Sequence, residues 1–148
     1  MRILLADDHL ESVEALATCF VLAGFNVQVA RDGSEALSIA VAWVPDIAIS
    51  DIDMPRVDGY QLARSLRAHM KTQHIVLIAV TGRASKCEAQ KALVAGFDHH
   101  IPKPAAPERL LALVSQQLSQ RHGKQSDMLD ERSSILTDAV AAENAVDN

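Results

Sequence analysis

Five short apolar segments alternate with longer amphipathic segments along the first 120 residues. The predicted strands are Ile3–Ala6, Phe25–Val29, Ile47–Ser50, Ile75–Val80 and His99–Ile101. The Ile75–Val80 segment is almost wholly aliphatic, which is typical of a central strand covered on both faces. This alternation predicts an α/β fold with a parallel sheet and helices on both faces. Right-handed crossovers favour the flavodoxin-like, doubly wound strand order 2-1-3-4-5 with five flanking helices.

Capping patterns predict where the helices begin and end. Asp32-Gly-Ser-Glu35 and Ser85-Lys-Cys-Glu88 have the spacing of capping boxes, and Asp58 is the predicted N-cap of the third helix. Gly24 and Gly96 follow helical patterns and are expected to end them. The predicted helices are Leu10–Ala23, one to about Trp43, one to about Met70, one ending at Gly96, and one from Pro107 to about Leu118.

Composition narrows the class of protein. The 148 residues are 49% hydrophobic and 22% charged, with a net charge of −5, as expected for a globular domain. The basic residues are not clustered, which argues against nucleic-acid binding, and no apolar run reaches membrane-spanning length. We therefore expect a cytoplasmic protein without nucleic-acid or membrane partners. Cys19 and Cys87 lie in helical patterns and are expected to be reduced core thiols.

The sequence changes character after Gln120. Residues 1–120 form the predicted domain, whereas Arg121–Asn148 holds three basic and six acidic residues. A weak apolar stripe predicts one short helix near Asp130–Asn144. A disordered acidic tail is the alternative.

Polar residues stand where the predicted strands end. Asp7 and Asp8 follow the first strand, Asp51 follows the third, Thr81 the fourth and Lys103 the fifth. In the order 2-1-3-4-5 the first, third and fourth strands are neighbours, so these side chains are expected to converge at one rim of the sheet.

The converging groups predict phosphoryl chemistry. Three neighbouring carboxylates repel one another unless a cation lies between them, and Mg²⁺ prefers such oxygen ligands. A carboxylate beside the metal can attack phosphorus and form an aspartyl phosphate. A hydroxyl and an ammonium group are suitable partners for the phosphoryl oxygens.

Four motifs, in order along residues 1–119, resemble those of a known family. They are Leu5-Ala-Asp-Asp-His9, the segment from Asp51 to Gly59, Val80-Thr-Gly82 and Pro102-Lys-Pro104. Together they resemble the receiver domain of response regulators, the phosphoacceptor module of two-component signalling. The resemblance is to the chemotaxis type of single-domain response regulator.

The resemblance implies roles for the acidic residues. Asp51 would take a phosphoryl group from the phosphohistidine of a sensor histidine kinase or a histidine phosphotransfer protein. Asp8, Asp51 and the backbone carbonyl of Asp53 would bind Mg²⁺, with Asp7 acting indirectly.

The resemblance also implies how the signal leaves the site. Lys103 would pair with the phosphoryl oxygens, and its bond to Pro104 is expected to be cis. Thr81 would move to bond the phosphoryl group. The surface of helix four, strand five and helix five would then change its affinity for a downstream protein partner.

Three residues distinguish this sequence from the family pattern or modify its chemistry. His100 stands where the family usually has a switch aromatic on the fifth strand. Asp53 and Arg83 are expected to tune the lifetime of the aspartyl phosphate. His9 is interpreted as an ordinary surface residue.

Three functional interpretations remain open at this point. The first is a phosphoacceptor that signals through protein–protein contacts. It would assist its own phosphorylation and dephosphorylation but would not be an enzyme that acts on a separate substrate. The second is a pseudo-receiver, an interaction module that works without phosphorylation. The third is an aspartyl-phosphate phosphatase. A calcium loop starting at Asp51 is excluded, because Pro55, Arg56 and Leu62 occupy positions that need an oxygen ligand, glycine and glutamate.

Overall fold

The computed structural model describes residues 1–82 and 85–121, and within them strands and helices alternate as predicted. The elements are β1 (Arg2–Ala6), α1 (Leu10–Leu22), β2 (Asn26–Ala30), α2 (Gly33–Trp43), β3 (Ile47–Asp51), α3 (Gly59–Ala68), β4 (Val76–Thr81), α4 (Lys86–Ala95) and β5 (His99–Pro102). Residues 107–121 form the helix α5. Each predicted strand is present with its ends displaced by one residue at most.

The five strands form one parallel sheet in the order β2-β1-β3-β4-β5, which confirms the predicted topology. The register aligns apolar residues across the sheet: Leu5 pairs with Ile49, and Ile49 pairs with Ile78. Every residue of β3 is buried. The carboxyl ends of β1, β3 and β4 therefore lie side by side at one rim.

An apolar core fills the space between one face of the sheet and the helices α2, α3 and α4. The sheet contributes Leu4, Ala48 and Leu77, and α3 contributes Leu62 and Leu66. Burial of each such leucine stabilises the fold by roughly 1.5–3 kcal/mol. The buried residues of α2 and α4 are small, with alanine or glycine at each such position, so these helices can approach the sheet closely.

The three predicted N-cap side chains all cap their helices, but only one of the three patterns forms a complete capping box. At α3 the box is complete, since the carboxylate of Asp58 accepts from Gln61 N and the amide oxygen of Gln61 accepts from Asp58 N. Asp32 and Ser85 also cap their helices. The carboxylates of their partners bond elsewhere: Glu35 accepts from Arg31 N, and Glu88 accepts from Tyr60 Oη.

The chain divides into two units, Met1–Leu111 and Ala112–Asn148. The first contains all five strands and helices α1 to α4. Of the second, the structure describes the helical residues 112–121. The predicted domain boundary at residue 120 stays a prediction, and the predicted helix near Asp130–Asn144 lies outside the described residues. Within residues 1–82 and 85–121, helices are too short or too polar to cross a membrane.

Both cysteines are free thiols, but only Cys19 is partly buried. The expectation of a core thiol is wrong for Cys87. It lies in the first turn of α4, whose buried positions are Ala92 and Ala95, so its side chain is exposed.

Candidate functional site

Asp51 is the last residue of β3, and its carboxyl group is held on both sides. The residue is 5% exposed. One carboxyl oxygen accepts a hydrogen bond from Lys103 Nζ at 3.1 Å, and the other accepts from the backbone N of Asp53 at 3.3 Å. An apolar strand therefore delivers a single, fixed carboxyl group to the rim of the sheet.

Gly59 allows the following loop to turn tightly against Asp51. Its N–H donates to the carbonyl oxygen of Ile52 at 2.8 Å. A Cβ at position 59 would lie 2.5 Å from the carbonyl oxygen of Asp51, closer than any side chain tolerates. A side chain at position 59 would therefore force this turn or the end of β3 to shift.

Burial and charge act against each other at Asp51. Burial raises the pKa of this carboxyl above its ordinary value of 3.8, the ammonium of Lys103 opposes that effect, and the charge of Asp7 adds to it. For Lys103, burial acts to lower the pKa, but Asp51, Asp7 and Asp8 outweigh it, so the pKa is raised. Lys103 therefore remains positively charged at neutral pH.

The acidic pair follows β1 at the same rim. The backbone N of Asp7 donates to Ala30 O at 3.1 Å, which continues the pairing between β1 and β2 past the end of the strand. A carboxyl oxygen of Asp7 lies 3.8 Å from Lys103 Nζ. Asp8 is more exposed than Asp7. The two acids thus approach Asp51 from the neighbouring strand.

The donor set of this acidic cluster fits a divalent cation. One ligand atom from each of Asp7, Asp8, His9 and Asp51 can be chosen so that all four lie within 4.8 Å of one another. Carboxylate oxygens are the ligands that Mg²⁺ prefers. The rim is therefore chemically suited to hold this ion.

Thr81 and Lys103 reach the rim from the two following strands. Thr81 ends β4 and is 1% exposed; it lies one residue beyond Val80, the partner of Asp51 in the sheet. The backbone N of Lys103 donates to Thr81 O at 2.7 Å, and the Lys103–Pro104 peptide bond is cis, as expected. The structure thus brings together Asp7, Asp8, Asp51, Thr81 and Lys103.

The family model described as response regulator receiver domain matches residues 3–115. This chain belongs to the response regulator receiver domain family. It is therefore a receiver domain of the kind used in two-component signalling, as the motifs predicted.

Relatives and solved structures agree with this membership. The response regulator MprA of Mycobacterium avium is 38% identical over 112 residues, covering 76% of this chain and 48% of MprA. The chain thus spans about half the length of the curated relatives it matches. The chemotaxis response regulator CheY4 of Vibrio cholerae is 27% identical with a TM-score of 0.74, over 78% of this chain and 96% of CheY4. A CheY-like receiver domain protein from Methanospirillum hungatei is 28% identical with a TM-score of 0.76, over 83% of this chain and 97% of that chain.

An open cavity of about 670 Å³ adjoins the site of this receiver domain. It lies between α1 and the segment that connects β5 to α5, and aliphatic side chains such as Leu5, Leu16 and Leu110 line it. Asp51 and Lys103 form part of its wall. The cavity therefore reaches the Asp51–Lys103 pair at the centre of the site.

Two of the residues expected to modify the chemistry, His100 and Asp53, lie near the receiver site. His100 pairs with Ala79 in the sheet, two residues before Thr81, and so shares a face with it. Its Nε2 is buried and makes no hydrogen bond within the described part of the chain. Asp53 is exposed beside Asp51, and Arg83 lies outside the described residues.

The position of His9 in the acidic cluster was not predicted from the sequence. The side chain is exposed, as expected of a surface residue, yet its Nδ1 lies 3.2 Å from a carboxyl oxygen of Asp8. The available signal was its place directly after Asp8 in the turn between β1 and α1.

Proposed function

We propose that this receiver domain accepts a phosphoryl group on Asp51 and signals through protein–protein contacts. The observation that carries the proposal is the position of Asp51. Its carboxyl is buried at the rim, bonded to Lys103 Nζ at 3.1 Å, and adjoins Asp7 and Asp8 in one cluster. The phosphoryl donor is the phosphohistidine of a sensor histidine kinase or a histidine phosphotransfer protein.

Asp51 acts as the nucleophile. One carboxylate oxygen forms a bond to phosphorus as the bond from phosphorus to the histidine nitrogen of the donor breaks, and that nitrogen keeps the electron pair. The attacking group must be ionised, although burial raises its pKa. The ammonium of Lys103 opposes this effect, so it keeps the nucleophile charged and oriented.

The acidic cluster is the proposed cation site. Asp8, Asp51 and the backbone carbonyl of Asp53 would hold Mg²⁺, with Asp7 acting indirectly. When bound, the ion supplies positive charge for the phosphoryl oxygens. The carboxylates of Asp7 and Asp8 otherwise repel an incoming phosphoryl group, so their charge must be neutralised before transfer.

Lys103 and Thr81 respond to the product. After transfer, the Lys103 ammonium pairs with a phosphoryl oxygen instead of with the free carboxylate. Thr81 moves to donate its hydroxyl hydrogen to another phosphoryl oxygen. Because Thr81 and His100 share a face of β4 and β5, this movement alters the surface around α4 and β5, which a downstream protein partner reads.

Asp53 and Arg83 are proposed to tune the lifetime of the aspartyl phosphate. The N–H of Asp53 donates to the Asp51 carboxyl group and the residue is exposed, so its carboxylate would act on a water that approaches from solvent. Hydrolysis of the aspartyl phosphate needs only water as a further reactant. The protein would thus assist its own dephosphorylation and would act on no separate substrate.

Intact-mass measurement after incubation with Mg²⁺ and acetyl phosphate tests the proposal. We expect one phosphoryl adduct that is lost when Mg²⁺ is chelated and is absent in Asp51→Asn. The matched control is Asp58→Asn, because asparagine caps a helix about as well as aspartate and Asp58 caps α3 rather than facing Lys103. No adduct on the wild-type chain, or an adduct that persists in Asp51→Asn, would contradict the proposal. Steady hydrolysis of a free phosphomonoester would indicate a phosphatase instead.

A further inference from the structure

An imidazole lies within the acidic cluster at a spacing suited to metal ligands. His9 Nδ1 is 3.2 Å from a carboxyl oxygen of Asp8 and 3.4 Å from one of Asp7. Two ligand atoms at ~2.1 Å from a metal in adjacent octahedral positions are about 3.0 Å apart. The imidazole nitrogen is therefore placed where it could share a cation with the neighbouring carboxylate of Asp8 after small side-chain rotations.

The backbone holds His9 in this place. Its N–H donates to the carboxylate of Asp7 at 2.9 Å, and its carbonyl accepts from Val13 N at 3.1 Å. His9 is the N-cap residue of α1, but its side chain makes no capping hydrogen bond. The main chain is thus fixed, and the ring nitrogen lies against the carboxylates of the cluster instead of capping the helix.

Imidazole changes which cation an oxygen site favours. Mg²⁺ prefers oxygen ligands, whereas Co²⁺, Ni²⁺ and Zn²⁺ bind imidazole nitrogen well and exceed earlier first-row ions in affinity. A cluster of three carboxylates with one histidine accordingly suits the late transition metals better than the same carboxylates alone.

We propose that His9 is a direct metal ligand of this receiver domain and gives its acidic site a preference for late first-row divalent cations over Mg²⁺. This inference rests on the proposed function only in placing the cation among the same carboxylates. Through His9, the occupancy of the site would depend on which divalent cation is available.

Calorimetric titration of the full chain with Co²⁺ and separately with Mg²⁺ tests the proposal. In His9→Ala, we expect Co²⁺ affinity to fall by about tenfold or more, because even indirect partners of a metal site are worth 10–100-fold in affinity. We expect the Mg²⁺ affinity to stay close to that of the wild-type chain. The visible absorption bands of bound Co²⁺ should also shift as nitrogen is replaced by water oxygen. His74→Ala, which removes an exposed histidine on the loop before β4, is the matched control.

Four outcomes would overturn the proposal. They are an unchanged Co²⁺ affinity in His9→Ala, an equal loss for both ions, a gain for both ions, and an equal loss of Co²⁺ affinity in His74→Ala. A gain for both would show that His9 is a counter-ion that competes with metals. Failure of the proposed function is separate, because it shows as a missing phosphoryl adduct with Mg²⁺. If the wild-type chain formed no adduct but its Co²⁺ spectrum depended on His9, the proposed function would fail and the inference about His9 would stand.

Discussion

Asp51 is held between an apolar strand that favours its neutral form and an ammonium group that favours its charged form. Residues 47–50 are buried aliphatic or small side chains, so water solvates the carboxylate poorly. The single hydrogen bond from Lys103 replaces part of that lost solvation. A carboxylate that accepts only two hydrogen bonds, one of them from a movable lysine side chain, is more open to reaction than one that many fixed donors surround.

This balance predicts a pH-dependent stability difference between the wild type and Asp51→Asn. The pKa of Asp51 is raised in the folded state, so the native protein binds this proton more tightly than the unfolded chain. The contribution of Asp51 to stability is therefore present at low pH and falls as pH rises from 3.8 to the raised native pKa. Asparagine does not titrate. We expect the stability of Asp51→Asn relative to wild type to increase over this range and then level off.

Urea unfolding of both proteins in the presence of a metal chelator, from acidic to neutral pH, measures this difference. Asp58→Asn serves as the reference, since it changes the same functional group at a helix cap. A relative stability of Asp51→Asn that stays flat or decreases with pH would contradict the argument.

At the scale of elements, the turn from β3 to α3 depends on Gly59. Gly59→Ala would bring a methyl group within 2.5 Å of Asp51 O and 2.7 Å of Ile52 Cα, and neither backbone atom can move without moving β3. We expect destabilisation of roughly 1–3 kcal/mol, together with weaker adduct formation at Asp51. Gly82→Ala is the matched control, because a Cβ there has no described atom within 4 Å. Equal unfolding midpoints for the two variants would contradict the steric account.

Arg67 on α3 joins the segments that precede β4 and β5. Its guanidinium donates to the carbonyls of Gln73, Ile75 and Gly96 and to the carboxylate of Asp98. Asp98 in turn accepts from Leu77 N at 2.8 Å. The entry points of two site-bearing strands are therefore fixed by one side chain.

Arg67→Met should lower the free energy of unfolding by at least 1–3 kcal/mol, roughly the effect of leaving one buried polar group without its partner. Arg64→Met, an exposed arginine on the same helix, should change it by less than about 0.5 kcal/mol. Denaturant unfolding of both variants measures these two changes in the free energy of unfolding. Equal effects would mean that the Arg67 network contributes no more than a surface charge.

The elements were predictable from the sequence because burial is periodic along each of them. The partners of individual polar side chains were not. Glu88 has the spacing of a capping box, yet its carboxylate accepts from Tyr60, 28 residues earlier on α3. Arg67 gives no local signal at all, since its partners lie on loops that only the packed fold brings together.

At the scale of the whole molecule, topology alone predicts that the site assembles. Asp51 and Lys103 are 52 residues apart in sequence, and the order β2-β1-β3-β4-β5 places their strands on either side of β4. Which rim residues would meet was therefore predictable, given the parallel sheet. The contact between the His9 ring and the Asp8 carboxylate was not, because it depends on a ring rotation in one turn rather than on strand order.

The same strand order predicts unequal stability across the site. β3 lies at the centre of the sheet and every residue is buried, whereas β5 ends the strand order and three of its four residues are only half-buried. Amides of β3 should exchange with solvent only through global unfolding, and amides of β5 through smaller local openings as well. Asp51 would then stand on the most protected strand, while Lys103 follows one that opens more easily.

Native-state hydrogen exchange followed by NMR, over increasing denaturant, tests this difference. Two matched variants sharpen it: Ile49→Val on β3 and Ile101→Val on β5 each remove one methylene from a buried isoleucine. Ile49→Val should lower protection in β1, β3 and β4 alike, by about 0.5–1.5 kcal/mol. Ile101→Val should lower protection in β5 even at denaturant concentrations where only local opening contributes. Equal protection of β3 and β5 in the wild type would mean that the sheet opens as one unit, and that Lys103 moves no more freely than the carboxyl group it holds.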